Sequence, residues 1–466
     1  MSRPRVAVIG GGLAGLAAAV ALSDASCKVH LFESRRQLGG RAASFRDPAS
    51  GMLVDFCQHV SMGCCTNLAD FARRTNIAQF FERERTLHFV GPDGTIAQFT
   101  ATGWLPAPLH LAIPLLRLTF LPLRDRWRVA RGLLSLGRGQ IGPCQEPTML
   151  AWLRDHGQSE LAINRFWATV LVSALGDTLD RVSLSAGRKV FVDGFMRNRA
   201  SYEVLIPTQP LSQLFNEHVA RYLTSRDVQI HLSCSTQNVR QQADSFFLDT
   251  PNESAQAFDF ILLAVPWRQI GDVLDPTLQS RLPDLASFTK FESSPITGVH
   301  LWFDRSITDL PHAVIVDRPS QWLFNRGEVR LETGTTSHYY QVVISASRTL
   351  AGSDRSDVVR QVIDDLITIW PTARQARLVQ SKVVSEQHAV FTPAPNLDYV
   401  RPSAATKVSG LFLAGDWTRT GWPATMEGAV RSGYLAAEAL LAAMGRPAKV
   451  VVDDLPMSRL AQQLIR

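Results

Sequence analysis

Two groups of residues near the N-terminus have types and spacing that do chemistry. Gly10-x-Gly12-x-x-Gly15 follows the apolar tetrapeptide Val6-Ala7-Val8-Ile9 and precedes a run rich in Ala and Leu. In that setting the glycines build a phosphate cradle. Gly10 makes the tight turn, Gly12 lets backbone approach a pyrophosphate, and Gly15 permits close packing of the helix that follows. The start of that helix, around Ala14, adds backbone N–H donors and the positive end of its dipole. Glu33 ends the next apolar run, about 20 residues on, where an acid accepts hydrogen bonds from ribose hydroxyls. The second group is Asp55, Cys57, Gln58, His59, Cys64 and Cys65. Cys and His invite a metal reading, but zinc sites take spaced ligand pairs from two chain segments and no second cluster follows, so no metal is expected. His59 keeps two readings, a packed histidine or a polar group at a reaction site.

The elements needed to hold these residues are a strand at 6–9, a helix to about residue 22 and a strand at 29–33. Apolar runs at 260–265 and 411–414 read as strands buried on both faces, and 424–443 reads as a small-residue helix. Between them, 67–199 reads as mostly helical, while 297–303 and 340–344 alternate as antiparallel strands do. The expected division is a discontinuous nucleotide-binding domain (1–66, 200–290, 391–446), a substrate domain (67–199, 291–390) and a C-terminal tail (447–466).

The 466 residues are 45% apolar and 19% charged with a mean hydropathy of zero, the profile of a globular chain of two or three domains. Lys and Arg number 48 against 42 Asp and Glu, and the resulting +6 is too small for a nucleic-acid coat. Six cysteines form no disulfide framework, so free thiols are expected. No apolar run reaches spanning length. Residues 1–9 carry no apolar stretch of signal-peptide length, so a cytoplasmic location is expected. The most apolar segment, 105–123, is broken by Pro106, Pro108, Pro114 and Pro122. A helical projection of 124–138 gathers Arg124, Arg128, Arg131 and Arg138 opposite Val129, Leu133 and Leu136. Between Thr102 and Gln145 six Arg face one acid, Asp125, so +5 of the +6 lies there. Two expectations follow for 105–138: an element on the inner membrane surface through which a lipid enters, or a core helix with a solvated Arg face.

After Glu33, the run Ser34-Arg35-Arg36-Gln37-Leu38-Gly39-Gly40-Arg41 resembles a signature of the flavin amine oxidase and phytoene desaturase superfamily. The resemblance implies an α/β, two-domain FAD-dependent oxidoreductase with a Rossmann-like (GR2-type) FAD-binding domain and an α+β substrate domain containing an antiparallel sheet. It carries over Arg35, Gly40 and Arg41 as contacts of FAD. Leu411-Phe412-Leu413-Ala414-Gly415-Asp416, followed by Thr425-Met426-Glu427-Gly428, resembles the second FAD motif of the group. There Gly415 and Asp416 would meet the ribitol or pyrophosphate, and the Met426 N–H would face the flavin N1/C2=O edge. Thr236 falls where the superfamily has a Val whose backbone holds the adenine. Thr425 stands where amine oxidases carry an aromatic cage residue, which lowers the weight of an amine substrate.

The whole chain resembles bacterial hydroxysqualene dehydroxylases. The resembling stretches are 54–64, Phe391-Thr392-Pro393-Ala394-Pro395 with Arg401-Pro402, and 414–428. It departs at Phe56-Cys57, where that family reads Asn-Gly, and at Cys65, where it has Tyr. The resemblance implies reductive dehydroxylation of hydroxysqualene to squalene, an isoprenoid lipid substrate, and other squalene-pathway enzymes as partners. His59, or a water held by Asp55 and Gln58, would supply the proton, with Trp417, Trp422 and Thr425 lining the pocket. Two rivals stand beside it: a carotenoid or phytoene-type desaturase, and an inert lipid-binding flavoprotein.

Overall fold

The computed structural model describes residues 3–139, 142, 145–251, 256–282 and 288–465. Cys144, among the expected free thiols, lies outside them.

Strand Arg5–Ile9 pairs in parallel with Lys28–Phe32 on one side and Phe260–Leu263 on the other. Leu411–Leu413 and Gln229–His231 extend the edges to make a five-stranded parallel sheet. Because both faces are covered, alternate residues of each strand feed two different cores. Val6, Val8, Val29 and Leu31 point to the helices Leu13–Asp24 and Met426–Ala443. Ala7, Ile9, Ile261 and Leu263 point to a second core that holds Phe246, Trp267, Phe291 and Trp417.

How closely these layers approach is set by missing side chains. A Cβ on Gly15 would lie 1.9 Å from the Gly10 carbonyl oxygen, and one on Gly433 would lie 2.2 Å from that of Ala14. The first and last long helices of the nucleotide-binding half therefore cross with their backbones in contact.

The substrate half is a seven-stranded sheet. Its strand Ser293–Phe303 runs antiparallel to both Thr336–Ser345 and Leu378–Phe391, with Thr297 opposite Ile344 and Leu301 opposite Tyr340. One face packs Val299, Leu301 and Val342 on Val358, Val362 and Leu366 of helix Arg355–Ile369. The other face meets residues 45–57, where a Cβ on Gly298 would lie 2.6 Å from the Phe56 carbonyl oxygen.

Two expectations are corrected. Residues 67–199 are not mostly helical throughout, because Phe81–Glu84, Thr86–Val90 and Ile96–Thr100 are strands, the last two completing the seven-stranded sheet. Leu87 and Phe89 alternate inward, a period of two only a few residues long. The expected boundary at residue 66 also shifts, since Leu68 and Phe71 of helix Thr66–Arg74 pack into the nucleotide-binding core. The tail joins the two halves: Val450 enters that same core, while Ala461 and Ile465 pack on Val192 and Met196. As the prolines require, 105–123 is broken into short turns before helix Leu123–Arg138. No helix among the described residues is long and apolar enough to cross a membrane.

Gly433→Val is expected to cost about 3 kcal/mol or more by forcing the two helices apart. Gly271→Ala, whose added Cβ meets nothing within 4 Å, should leave stability within about 0.5 kcal/mol. Urea unfolding of the two variants checks the contrast.

Candidate active site

The glycine turn, residues 33–41 and the loop 414–426 converge at the carboxyl edge of the parallel sheet. Glu33 is buried, its Oε2 accepting the Gly11 N–H at 2.7 Å and its Oε1 the Arg35 N–H at 2.8 Å. The expected ribose acid thus also shapes the glycine loop. A Cβ on Gly40 would meet the Gly12 Cα at 3.0 Å, whereas one on Gly12 would meet nothing nearer than 4.0 Å. The two glycines leave backbone open on one side, as a pyrophosphate needs. Arg35 folds back to donate to the Gly40 carbonyl at 3.3 Å.

Arg41 reaches across the site to Asp416, Nη2 to Oδ2 2.7 Å, and donates from Nη1 to the Ala389 carbonyl at 2.8 Å. Burial works against the guanidinium charge, but the Asp416 carboxylate prevails and raises its pKa. Asp416 Oδ1 is buried without a partner among the described residues, and so is Thr236 Oγ1. Thr236 follows a segment tied to the end of the second strand, Cys234 N–H donating to Glu33 O and Ser233 N–H to Arg35 O, both at 2.9 Å. A buried acceptor left empty costs about 1–3 kcal/mol. An orphaned carboxylate oxygen beside a glycine cradle fits the hydroxyls and pyrophosphate of FAD.

Thr425 caps helix Met426–Ala443, its hydroxyl accepting the Gly428 N–H at 3.0 Å. Its side chain is thus engaged in the cap, and the Met426 N–H at the helix start has no intrahelical partner. The two tryptophans expected as pocket walls are placed otherwise. Trp417 is 1% exposed, donates from its indole to the Val265 carbonyl at 3.1 Å and packs edge-on to Phe288. Gly415, at φ +146°, has no Cβ to obstruct the indole folding beneath it, so Trp417 is a core side chain. Trp422 is buried with the Lys189 ammonium 4.5 Å and the Arg431 guanidinium 5.4 Å from its ring centre.

Two residues quoted in the motifs without a role prove central. Arg401, 2% exposed, donates to the carbonyls of Asp416 (2.7 Å), Trp422 (2.9 Å) and Thr418, and to Thr420 Oγ1 (3.0 Å). One guanidinium thereby shapes the loop that presents Asp416. The Glu427 carboxylate accepts the N–H groups of Leu68 (2.8 Å) and Asn67 (3.2 Å) at the start of helix Thr66–Arg74. Burial raises its pKa against these donors and against Arg431. The sequence signal for both was their position inside the resembling stretches.

The second cluster lies where residues 55–59 meet the substrate sheet. Asp55 Oδ1 accepts from Ser44 Oγ (2.6 Å) and the Leu211 N–H (2.9 Å). Burial raises its pKa despite those two donors. Gln58 Nε2 donates to the His59 carbonyl at 3.1 Å, and its Oε1 has no partner among the described residues. His59 Nδ1 lies 3.0 Å from the Cys57 carbonyl and 3.9 Å from Cys57 Sγ. Burial alone would lower the His59 pKa; Cys57 and then Asp55 overcome it and raise it to about 9. Cys64 and Cys65 are buried free thiols in the nucleotide-binding core. Among the described residues no group of three or more His, Cys, Asp or Glu has a metal-holding arrangement.

A parallel sheet with a glycine cradle, a ribose acid and a carboxylate left half-empty defines an FAD-dependent oxidoreductase. The model of the family described as flavin containing amine oxidoreductase matches residues 13–441, and the chain belongs to that family. It is similar to a hydroxysqualene dehydroxylase of Sinorhizobium fredii, 27% identical over 462 residues that cover 94% of this chain and 98% of the relative. A 15-cis-phytoene desaturase of an Oncidium hybrid cultivar is 25% identical over 480 residues, covering 96% and 80% of the two chains. Among solved structures, cyclohexylamine oxidase from Brevibacterium oxydans shares the fold with a TM-score of 0.68 at 18% identity, over 96% of this chain and all of the other.

Asp416→Ala is expected to weaken FAD binding by about 10- to 100-fold, the worth of a hydrogen bond to a charged group. Fluorescence titration of apoprotein with FAD measures it, and an unchanged Kd would remove Asp416 from the site.

Proposed function

We propose that this oxidoreductase converts hydroxysqualene to squalene, a step of squalene and hopanoid formation. Similarity to a hydroxysqualene dehydroxylase over nearly the full length of both chains supports an isoprenoid substrate. Phytoene desaturases match comparably well, so identity does not choose between the two reactions. The chemistry of His59 supports dehydroxylation. Dehydroxylation needs a proton for the departing oxygen, desaturation needs none, and, against burial, Cys57 and Asp55 raise the His59 pKa to about 9, which suits a proton donor.

The Cys57 carbonyl only accepts, so Nδ1 of His59 carries its proton in either charge state, and the transferable proton is on Nε2. Nε2 gives that proton to the allylic hydroxyl. The C–O bond then breaks, its electron pair leaves with water, and a delocalised allylic cation remains. The allylic carbon would then receive a hydride, the chemistry that reduced FAD would supply when bound. Asp55, bonded to Ser44 and Leu211, stands as a fixed neighbour that favours charged His59.

The same reading puts the protein in the cytoplasm, peripheral to the inner membrane face. Six of the nine exposed large apolar side chains among the described residues lie between Trp104 and Leu134, including Trp104 (77% exposed), Leu123 (65%) and Trp127 (63%). Arg117, Arg124 and Arg131 are exposed in the same stretch, and Arg138 just beyond it. The expected face of Arg124, Arg128, Arg131 and Arg138 differs in detail. Arg128 turns to the buried Asp125 at 2.8 Å and Arg126 to the Leu121 carbonyl at 2.8 Å, while Leu123, Trp127 and Leu134 stand among the remaining cations. Aromatic and aliphatic side chains interleaved with Arg suit an anionic lipid surface better than a solvated polar face.

Anaerobic incubation of chemically reduced holoenzyme with hydroxysqualene is expected to give squalene with stoichiometric flavin oxidation. Reduction of the oxidised holoenzyme by a polyene precursor would instead support the desaturase, and bound FAD with no turnover the inert lipid carrier. Trp104→Ser with Trp127→Ser and Arg124→Glu is expected to weaken co-sedimentation with phosphatidylserine vesicles at least 10-fold, binding of the parent protein falling as salt rises.

A further inference from the structure

Four strands of the parallel sheet end level with one another. Phe32, Ile9, Leu263 and Leu413 pair in register across it, so Glu33, Gly10, Ala264 and Ala414 all leave from the same carboxyl edge. A ligand held by Glu33 at one end and by Asp416 at the other crosses three strand spacings, about 14 Å, and passes the end of strand Phe260–Leu263 on the way. That end touches the glycine turn, because a Cβ on Gly10 would sit 2.5 Å from the Ala264 carbonyl oxygen.

The residues that follow Ala264 are fixed from several sides. The Val265 carbonyl accepts the Trp417 indole N–H at 3.1 Å, and Trp267 is buried with its ring centre 5.5 Å from that of Phe291 and 6.5 Å from that of Phe391. Arg268 comes next, exposed, in the short turn Trp267–Gln269. Its guanidinium lies over the Trp267 ring, 4.8 Å from the centre, and its Nη1 donates to Ser293 Oγ at 2.6 Å. Ser293 pairs with Phe391 and Ser294 with Val390, while Arg41 donates to the carbonyl of Ala389, the next residue along that strand. The two guanidinium groups are thus tied to neighbouring strands within a few residues of each other.

Their charges are not equally spent. Arg41 is matched by Asp416 at 2.7 Å, whereas the contacts of Arg268 are a hydroxyl and an aromatic face, neither of which neutralises it. Partial burial lowers the Arg268 pKa, Arg41 lowers it further, and Glu386 works against both, as expected of a second positive charge close to the first. A diphosphate brings two negative charges into a site that already holds the Glu33 and Asp416 carboxylates, so one arginine already paired with a carboxylate is a poor match for it. A planar guanidinium whose charge is free is the natural complement.

We propose that Arg268 is a second cation of the FAD diphosphate site, held ready by Trp267 and Ser293 and acting together with Arg41. It binds the cofactor and takes no part in proton or hydride transfer, so the assignment holds whichever isoprenoid reaction the flavin serves.

Two measurements on holoenzyme test it. Release of FAD on dilution, read by free-flavin fluorescence, gives a Kd, and 31P NMR reads the bound diphosphate directly. Arg268→Gln is expected to weaken FAD binding at least 10-fold, the worth of a hydrogen bond to a charged group, and to move a 31P resonance of the bound cofactor. Arg268→Lys, which keeps the charge, should recover most of the affinity and keeps the test open if the Gln variant folds poorly. Ser293→Ala, which removes only the tether, should stay within about threefold of the parent. Either readout left unmoved by Arg268→Gln overturns the assignment. A loss as large in Ser293→Ala as in Arg268→Gln also overturns it, leaving Arg268 as a tether of the substrate sheet.

Discussion

Everything at the FAD edge depends on the crossing of helices Leu13–Asp24 and Met426–Ala443 with nothing between their backbones. The two helices come from opposite ends of the chain, and closing so long a loop carries an entropic cost that grows with its length. What offsets it is a continuous apolar seam in which Ala17, Ala18, Val430, Tyr434 and Leu440 are all buried. Any side chain at Gly433 would prise the seam open. With it closed, the start of the late helix is brought to the early glycine turn, and Asp416 comes within reach of Arg41.

Two arginines then divide the work around Asp416. Arg401 is buried and spends its donors on loop carbonyls, the Thr420 hydroxyl and the Asp398 carboxylate, so it acts as scaffold for the loop. Arg41 engages one carboxylate oxygen and leaves the other empty. No group among the described residues donates to that buried oxygen, which fits a ligand that brings donors. Glu427 extends the same logic one layer outward, where its carboxylate receives the first N–H groups of helix Thr66–Arg74 and joins that helix to the FAD half.

The reaction side is built on a different principle. Residues 55–59 have no regular structure beyond the strand end at Asp55, and their geometry comes from what they lie on. Gly298 admits the Phe56 and Cys57 backbone to the sheet surface, and Ser44 and Leu211 hold Asp55. The placement of His59 next to a carbonyl, a sulfur and a carboxylate is thus a property of three separate chain segments.

Sequence by itself determined the parts whose causes are local. Gly10, Gly12, Gly15 and Glu33 sit in a strand–turn–helix–strand run a few tens of residues long, and hydrophobic runs at 260–265 and 411–414 mark strands buried on both faces. Prolines dictated the break in 105–123. Only the tertiary structure decided what depends on distant partners. The strands Thr86–Val90 and Ile96–Thr100 gain their pairing from a sheet built mainly by residues 293–391, which short-range alternation does not reveal. Trp417 and Trp422 carry the same aromatic signal in sequence whether they line a pocket or fill a core, and the space left by Gly415 sends Trp417 inward. The charge on His59 is likewise set across space: burial lowers it and neighbouring groups raise it, and the balance exists only once the fold has brought them together.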